Sequence, residues 1–241
     1  MQAYNKAHTW ADHKDTLQIC LILSTTDIIK DKKTKGLRKT ENEVIMHYDS
    51  LIDAGNDPVY DPPVLREYMD KWDGRLFLDL LKLSPEKSVL EIGVGTGRIA
   101  VNTAHLVKSF YGIDISPKTI ETAKKHLVRG DGNVHMICAD FLDFGFSNQF
   151  DLIYSSLTFL HIKDKESAIN KVFGLLFPGG RFVLSIDKDQ KDTLDCGDYK
   201  LKIYPDDPEN TAALLKSAGF ESIKRYETEF AYIFSAEKPK N

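Results

Sequence analysis

The segment Val89-Leu90-Glu91-Ile92-Gly93-Val94-Gly95-Thr96-Gly97-Arg98-Ile99-Ala100 constrains the fold more than any other part of the chain. An apolar strand passes through one carboxylate into three alternating glycines and then into a helical pattern. Glycines in such a turn permit positive φ and remove the Cβ atoms that would keep a ligand off the backbone, while the helix that follows offers unpaired N–H groups. A small polar ligand fits there. The spacing is G-x-G-x-G, whereas the dinucleotide fingerprint needs G-x-G-x-x-G to seat a pyrophosphate, and the position it would require is Arg98. A nicotinamide dinucleotide is therefore disfavoured.

Around this turn, apolar runs alternate with helical patterns. Strands are expected at 88–92, 110–114, 134–138, 150–155 and 181–186, with helices at 98–108, 117–129 and 165–177. Such alternation implies right-handed crossovers and a parallel sheet covered by helices on both faces. A further helix at 208–218, closed by Gly219, precedes two β-rich runs at 221–229 and 230–237. Before the first strand, a helix at 74–83 repeats Leu76, Phe77, Leu80, Leu81 and Leu83 at core spacing. A short amphipathic helix is expected around Val44 to Ile52, and Pro58, Pro62 and Pro63 interrupt the chain after it. The chain divides into an N-terminal extension at 1–45, a helical cap segment at 46–84 and a main domain at 85–241.

In order, these pieces resemble the class I S-adenosylmethionine-dependent methyltransferases. The glycine turn is similar to their first motif. Phe110-Tyr111-Gly112-Ile113-Asp114-Ile115-Ser116-Pro117 resembles the strand ending in the acid that accepts the two ribose hydroxyls, with Ser116 as helix N-cap. Val134 to Phe141 resembles the third strand, whose terminal acid, here Asp140, binds the exocyclic amine of adenine beside Phe141. Phe150 to Leu157 and the Pro178-Gly179-Gly180 turn complete the match, which covers about residues 85–238. What the resemblance implies is a doubly wound, Rossmann-like α/β fold with a mostly parallel seven-stranded sheet, order 3-2-1-4-5-7-6, the last strand antiparallel. It implies S-adenosyl-L-methionine as cofactor, S-adenosyl-L-homocysteine as product, and a site formed by Tyr60, Glu91, Gly93, Val94, Gly95, Gly97, Asp114, Ile115, Asp140, Phe141 and Ser156. Read as residues alone, Asp114 and Asp140 also suit strand-end or helix-capping acids, Glu91 a brace for the turn, and Tyr60 a packed aromatic.

The family's chemistry is an in-line displacement, so positioning and desolvation are its main requirements and no metal is needed. His161, in Thr158-Phe159-Leu160-His161-Ile162, stands where related small-molecule enzymes carry a pocket histidine and is the one readable candidate general base; a structural histidine is the other reading. Asp187 is read first as a solvated loop acid beside Lys188, Asp189 and Lys191, and second as an acceptor-pocket residue. After the fourth strand the chain reads Ser155-Ser156-Leu157-Thr158 rather than the Asn-Pro-Pro-Tyr type of nucleic-acid and glutamine methylators. A small-molecule acceptor is expected. The alternatives are a non-catalytic S-adenosylmethionine-binding regulator and a protein or RNA methyltransferase.

Charge supports the expected acceptor class. A net charge of −4 and a pI near 6.0 provide no basic footprint for nucleic acid. The cluster Lys30, Lys32, Lys33, Lys35, Arg38 and Lys39 is interleaved with acids and reads as solvated linker. The apolar run at 17–23 falls far short of the roughly 20 residues of a membrane span, and its basic residues follow it instead of preceding it as in a signal peptide. Three scattered cysteines, Cys20, Cys138 and Cys196, suit a reducing compartment, so a cytoplasmic protein is expected, with Cys138 buried in its strand and Cys196 exposed in a polar loop. No residue pattern fixes an oligomeric state.

Overall fold

A computed structural model describes residues 39–127 and 132–240. The apolar run at 17–23, Cys20, the basic positions 30–38 and the expected end of a helix at 129 lie outside the described residues. Strands β1 (Ser88–Ile92), β2 (Ser109–Asp114), β3 (Val134–Cys138), β4 (Phe150–Ser156) and β5 (Leu176–Asp187) come first in the chain. β6 (Thr193–Asp195) and β7 (Lys200–Lys202) follow, then β8 (Glu221–Glu227) and β9 (Ala231–Glu237). Seven of them form one sheet, ordered β3-β2-β1-β4-β5-β9-β8, while β6 and β7 pair as a separate hairpin. With that unforeseen hairpin set aside, the order is the expected one. β1 through β5 pair in parallel, and β9 runs antiparallel to both β5 and β8.

Val89, Leu90, Glu91 and Ile92 are buried in succession, as a central parallel strand covered on both faces requires. Seven α-helices occur among the described residues: α1 (Lys39–Asp53), α2 (Pro63–Asp73), α3 (Arg75–Leu81), α4 (Ala100–Thr103), α5 (Pro117–Leu127), α6 (Lys165–Leu175) and α7 (Pro208–Ser217). On one sheet face, Ile169 and Val172 of α6 and Leu215 of α7 pack with Leu90, Ile92 and Phe182. On the other, Phe77 and Leu81 of α3, Ala100 of α4 and Ile120 of α5 pack with Val89, Phe110 and Leu152. None of these helices is long and apolar enough to cross a membrane.

Several elements differ from their sequence pattern. α1 starts at Lys39, upstream of the boundary expected at 45. The helix expected at 98–108 is a single α-turn followed by a 3₁₀ turn, Ala104–Leu106. Thr103 explains the break, because its hydroxyl back-bonds to the carbonyls of Ile99 and Ala100 and its φ of −120° leaves the helical region. The two cysteines exchange the expected environments: Cys138 is exposed on β3, an edge strand, and Cys196 is buried under α1 with Leu194 and Leu201. Asp187 ends β5 as a buried acid rather than a solvated one, accepting hydrogen bonds from Trp72 Nε1 (3.0 Å) and Asp189 N (2.7 Å).

α1 and the hairpin stand over the carboxyl ends of the strands. Val44 and Leu51 of α1 join Leu160, Leu194, Leu201 and Ile203 in a third cluster, apart from the two sheet faces. Asp49 fastens α1 to the start of α5 by accepting from Ser116 Oγ (2.7 Å) and Lys118 N (3.2 Å). Ser116 also accepts from Thr119 N (3.2 Å), as the expected N-cap should.

Candidate active site

The turn after β1 folds back on β2, where Gly93 N and Val94 N both donate to Ile113 O at 2.8 and 3.1 Å. Gly93, Gly95 and Gly97 all have positive φ (73°, 57° and 100°), but their surroundings differ. A Cβ on Gly93 would lie 1.9 Å from Thr158 Oγ1, and one on Gly97 would lie 2.9 Å from Leu127 Cδ1. Gly95 alone of the three faces open space among the described residues, and it lines a cavity. Its N–H donates to Asp114 Oδ2 (3.0 Å), while Asp114 Oδ1 accepts from Ser116 N (3.0 Å). Burial pushes the Asp114 pKa up and these backbone bonds oppose the rise. The carboxylate is thereby fixed at both oxygens, each of which keeps a second lone pair. At the end of the neighbouring strand, Asp140 Oδ1 accepts from Leu142 N at 2.6 Å.

The cavity, about 860 Å³, opens at the carboxyl ends of β1, β2, β3 and β4, the switch point from which the strand order runs outward in both directions. Glu91, Gly93, Val94, Gly95, Asp114, Ile115, Asp140, Phe141, Ser156 and His161 all line it. Tyr60 and Gly97 are not wall residues. Tyr60 is 76% exposed and meets the ring of His126 edge-on at 5.2 Å. Phe141 is anchored in the core, with Lys171 Nζ 5.2 Å from its ring centroid. Leu157, also in the wall, holds φ at 53°, backbone strain of the kind that surrounding structure must impose.

Beneath the turn lies a buried polar layer. Glu91 accepts from Tyr154 OH (2.9 Å), which lies 2.9 Å from Thr103 Oγ1. Burial raises the Glu91 pKa to about 8 against the opposing Tyr154 hydrogen bond and Arg98 charge, so at pH 7 it is mainly the neutral acid. Asp73, the buried last residue of α2, takes Arg98 Nη1 at 2.8 Å and Nη2 at 2.5 Å, and also the hydroxyl of Ser156. Ser156 therefore reaches the cavity with its hydroxyl already engaged. Sequence reasoning missed Asp73 and left Arg98 without a role; a large cation inside a glycine turn was the available signal.

Above the turn, His161 occupies the 3₁₀ turn Phe159–His161 after β4, and its Nε2 lies 2.8 Å from Tyr48 OH of α1. Its Nδ1 is buried without a hydrogen-bond partner among the described residues, and burial lowers its pKa to about 3, so the ring is neutral. Next to it, His47 Nδ1 meets Tyr199 OH at 2.6 Å, and burial lowers the His47 pKa to about 4. Tyr48, Met69 and Tyr204 are wall residues that the sequence did not single out. Tyr48 carried only an amphipathic signal, and Tyr204 follows a hairpin whose two strands are only three residues each.

Comparison with known proteins gives a consistent result. Residues 90–184 match a family model described as a methyltransferase domain. An uncharacterized methyltransferase of Anoxybacillus flavithermus is 39% identical over 57% of this chain and 61% of its own length. Phosphoethanolamine N-methyltransferase 3 of Arabidopsis thaliana is 31% identical over 61% of this chain and 31% of its own. The chain thus spans less than two thirds of these relatives. A solved structure of magnesium protoporphyrin IX methyltransferase from Synechocystis, with bound S-adenosylmethionine, shares the fold at a TM-score of 0.65 and 17% identity, covering 85% of this chain and all of that one.

Proposed function

We propose that the chain, whose residues 90–184 match a family model described as a methyltransferase domain, is an S-adenosylmethionine-dependent methyltransferase acting on a small-molecule acceptor in the cytoplasm, with no nucleic-acid partner. The observation that carries this reading is the convergence of Asp114, Asp140 and the open face of Gly95 on one cavity at the switch point. Its size is within the range of pockets that hold cofactor-sized ligands. The residues present fit the cofactor: a fixed acid with spare lone pairs for two hydroxyls, a second strand-end acid with Phe141 beside it for an aminopurine, and a glycine face open to close approach.

S-adenosylmethionine supplies a methyl group already activated on positively charged sulfur. What the chain contributes is alignment and exclusion of water. Asp114 receives the ribose hydroxyls, and Asp140 with Phe141 receives the adenine. Glu91 and the Arg98–Asp73 pair brace the turn from below. Tyr48 and His161 orient the acceptor from above. A histidine held neutral down to about pH 3 is a ready hydrogen-bond acceptor but a poor store for a proton, so His161 aligns the acceptor's lone pair more than it drives deprotonation.

The small-molecule reading draws support from the cover that Val44, Tyr48 and Tyr204 place over the cavity, and the absence of nucleic acid from the net negative charge. The cytoplasmic assignment draws on the free thiols of Cys138 and Cys196. Calorimetry with S-adenosylmethionine, S-adenosylhomocysteine and NAD tests the cofactor, and a metabolite-library screen for S-adenosylhomocysteine release tests the reaction. Tight NAD binding without a response to S-adenosylhomocysteine would overturn the reading. Cofactor binding with turnover only on a macromolecule, at salt-sensitive affinity, would move the assignment to a protein or RNA methyltransferase.

A further inference from the structure

Between β7 and α7 the chain runs through 203–207 without regular structure, so its backbone groups take partners from elsewhere in the fold. For Tyr204 both come from the segment around His161. Its N–H donates to Leu160 O (2.7 Å), inside the turn Phe159–His161, and its carbonyl accepts from Lys165 Nζ (2.8 Å), which also donates to Phe159 O. Lys165 is the first residue of α6, where the helix dipole disfavours a cation, and its side chain is only 14% exposed. An ion pair with the buried Asp206 (2.7 Å) offsets the charge. Burial pulls the Lys165 pKa down and pushes that of Asp206 up, and each charge opposes the other's shift. An ammonium suits this place because it has three N–H groups and no lone pair, so it can serve two carbonyls and a carboxylate together. His161 and Tyr204 line the cavity, and Lys165 and Asp206 do not.

We propose that Lys165 is a positioning residue that fixes the Tyr204 wall of the cavity against the His161 turn and so sets the shape of the acceptor pocket, an inference that rests on the methyltransferase reading above. The carbonyl oxygens of Phe159 and Tyr204 converge on one nitrogen. With that donor gone, two partial negative charges face each other unsatisfied, and Tyr204 keeps a single tie to the turn, through its N–H. The cofactor seat is built separately. Asp114 is held by the N–H groups of Gly95 and Ser116 and Asp140 by that of Leu142, so none of these bonds passes through Lys165. Loss of the lysine should therefore reach the acceptor and spare the cofactor.

Lys165→Met alone would leave Asp206 as a buried, unpaired charge and risks unfolding, so Asp206→Asn is compared with the double variant Lys165→Met/Asp206→Asn. The first removes the ion pair but keeps a donor for both carbonyls; the second removes the donor as well. Hydrogen exchange at the Tyr204 amide should be about tenfold faster or more in the double variant than in Asp206→Asn, and the ring ¹⁵N signals of His161 should move only in the double variant. S-adenosylhomocysteine affinity, measured by calorimetry, should agree between the two within about twofold. With an acceptor drawn from the metabolite library, kcat/KM for that acceptor should fall about 10- to 100-fold in the double variant relative to Asp206→Asn, while KM for S-adenosylmethionine stays unchanged. Equal exchange in the two variants, an unchanged acceptor kcat/KM, or a loss shared equally by acceptor and cofactor overturns the proposal. Failure of S-adenosylhomocysteine to bind, or of every library member to turn over, would overturn the methyltransferase reading instead, with the tie between Tyr204 and the His161 turn still judged by the exchange and ring signals.

Discussion

On the floor of the cavity, Asp114 is held by the N–H groups of Gly95 and Ser116, and the glycine turn is held by Ile113 O. In the cap, Tyr48 meets His161 and His47 meets Tyr199, side chain to side chain, across 113 and 152 residues of sequence. The floor thus uses groups that every sequence possesses, aimed by backbone conformation. The cap uses particular side chains aimed by packing. Their burial differs as well: α1 places Val44 and Leu51 in a buried cluster, worth about 2 kcal/mol each, whereas β1 alone buries Val89, Leu90 and Ile92. A rigid seat and a more weakly anchored cover suit a site that must hold one ligand firmly while another enters and leaves.

The sharpest test of the floor is Gly93→Ala. Its Cβ would meet Thr158 while φ stays at 73°, so the variant should lose about 3 kcal/mol of stability or more in chemical denaturation. A loss below 1 kcal/mol would mean that the seat yields as readily as the cap. For the cap, His161→Ala should lower turnover about 100-fold, equivalent to about 2.7 kcal/mol, with S-adenosylhomocysteine affinity preserved within twofold. Since burial keeps His161 neutral down to about pH 3, the wild-type pH–rate profile should show no histidine limb from it between pH 5 and 8. Equal loss of turnover and cofactor affinity would erase the division between cover and seat.

Asp114→Ala should weaken S-adenosylhomocysteine binding by about 1.5–3 kcal/mol in calorimetry. The fold should also lose about 1 kcal/mol, because the N–H groups of Gly95 and Ser116 are left without an acceptor. Unchanged affinity in a folded variant would remove Asp114 from the ribose. Glu91→Gln should act in the opposite direction. With its folded pKa raised from 4.5 to about 8, the native state keeps a proton that the unfolded chain has lost, so Glu91 makes stability fall as pH rises across that interval. The glutamine variant, which can still accept from Tyr154, should gain several kcal/mol over wild type at pH 8.5 and almost nothing at pH 4.5. A pH-independent difference would show that Glu91 is not the buried acid described. The smallest stability effect is expected for Gly95→Ala, about 1 kcal/mol, because its Cβ meets no atom of the described residues and only φ is strained. Its larger effect should be on cofactor affinity, which distinguishes the ligand-facing glycine from its two packed neighbours.

The floor was legible in the sequence and the cap was not. Glu91, the glycines, Asp114 and Asp140 end or follow strands marked by apolar runs, so period and order place them at one edge of a parallel sheet. Tyr60 sits among recognisable turn signals, yet it packs outside the cavity, because a 3₁₀ turn capped by Asp57 directs it toward His126. Tyr48, Asp73 and Tyr204 had no local pattern. Their places depend on where α1, α2 and the hairpin settle over the strand ends.

By itself, the sequence determined the alternation of strands and helices, the glycine turn and the row of strand-end acids, since each follows from hydrophobic period and turn chemistry, which are local in the chain, while the strand order was implied by the resemblance to the methyltransferase family. Only the tertiary structure decided that Arg98 is neutralised by Asp73, that burial pushes the Glu91 pKa up and that His161 stays uncharged beside Tyr48. Charge and protonation depend on burial and on partners brought from distant segments, and those are set by packing rather than by neighbours in sequence.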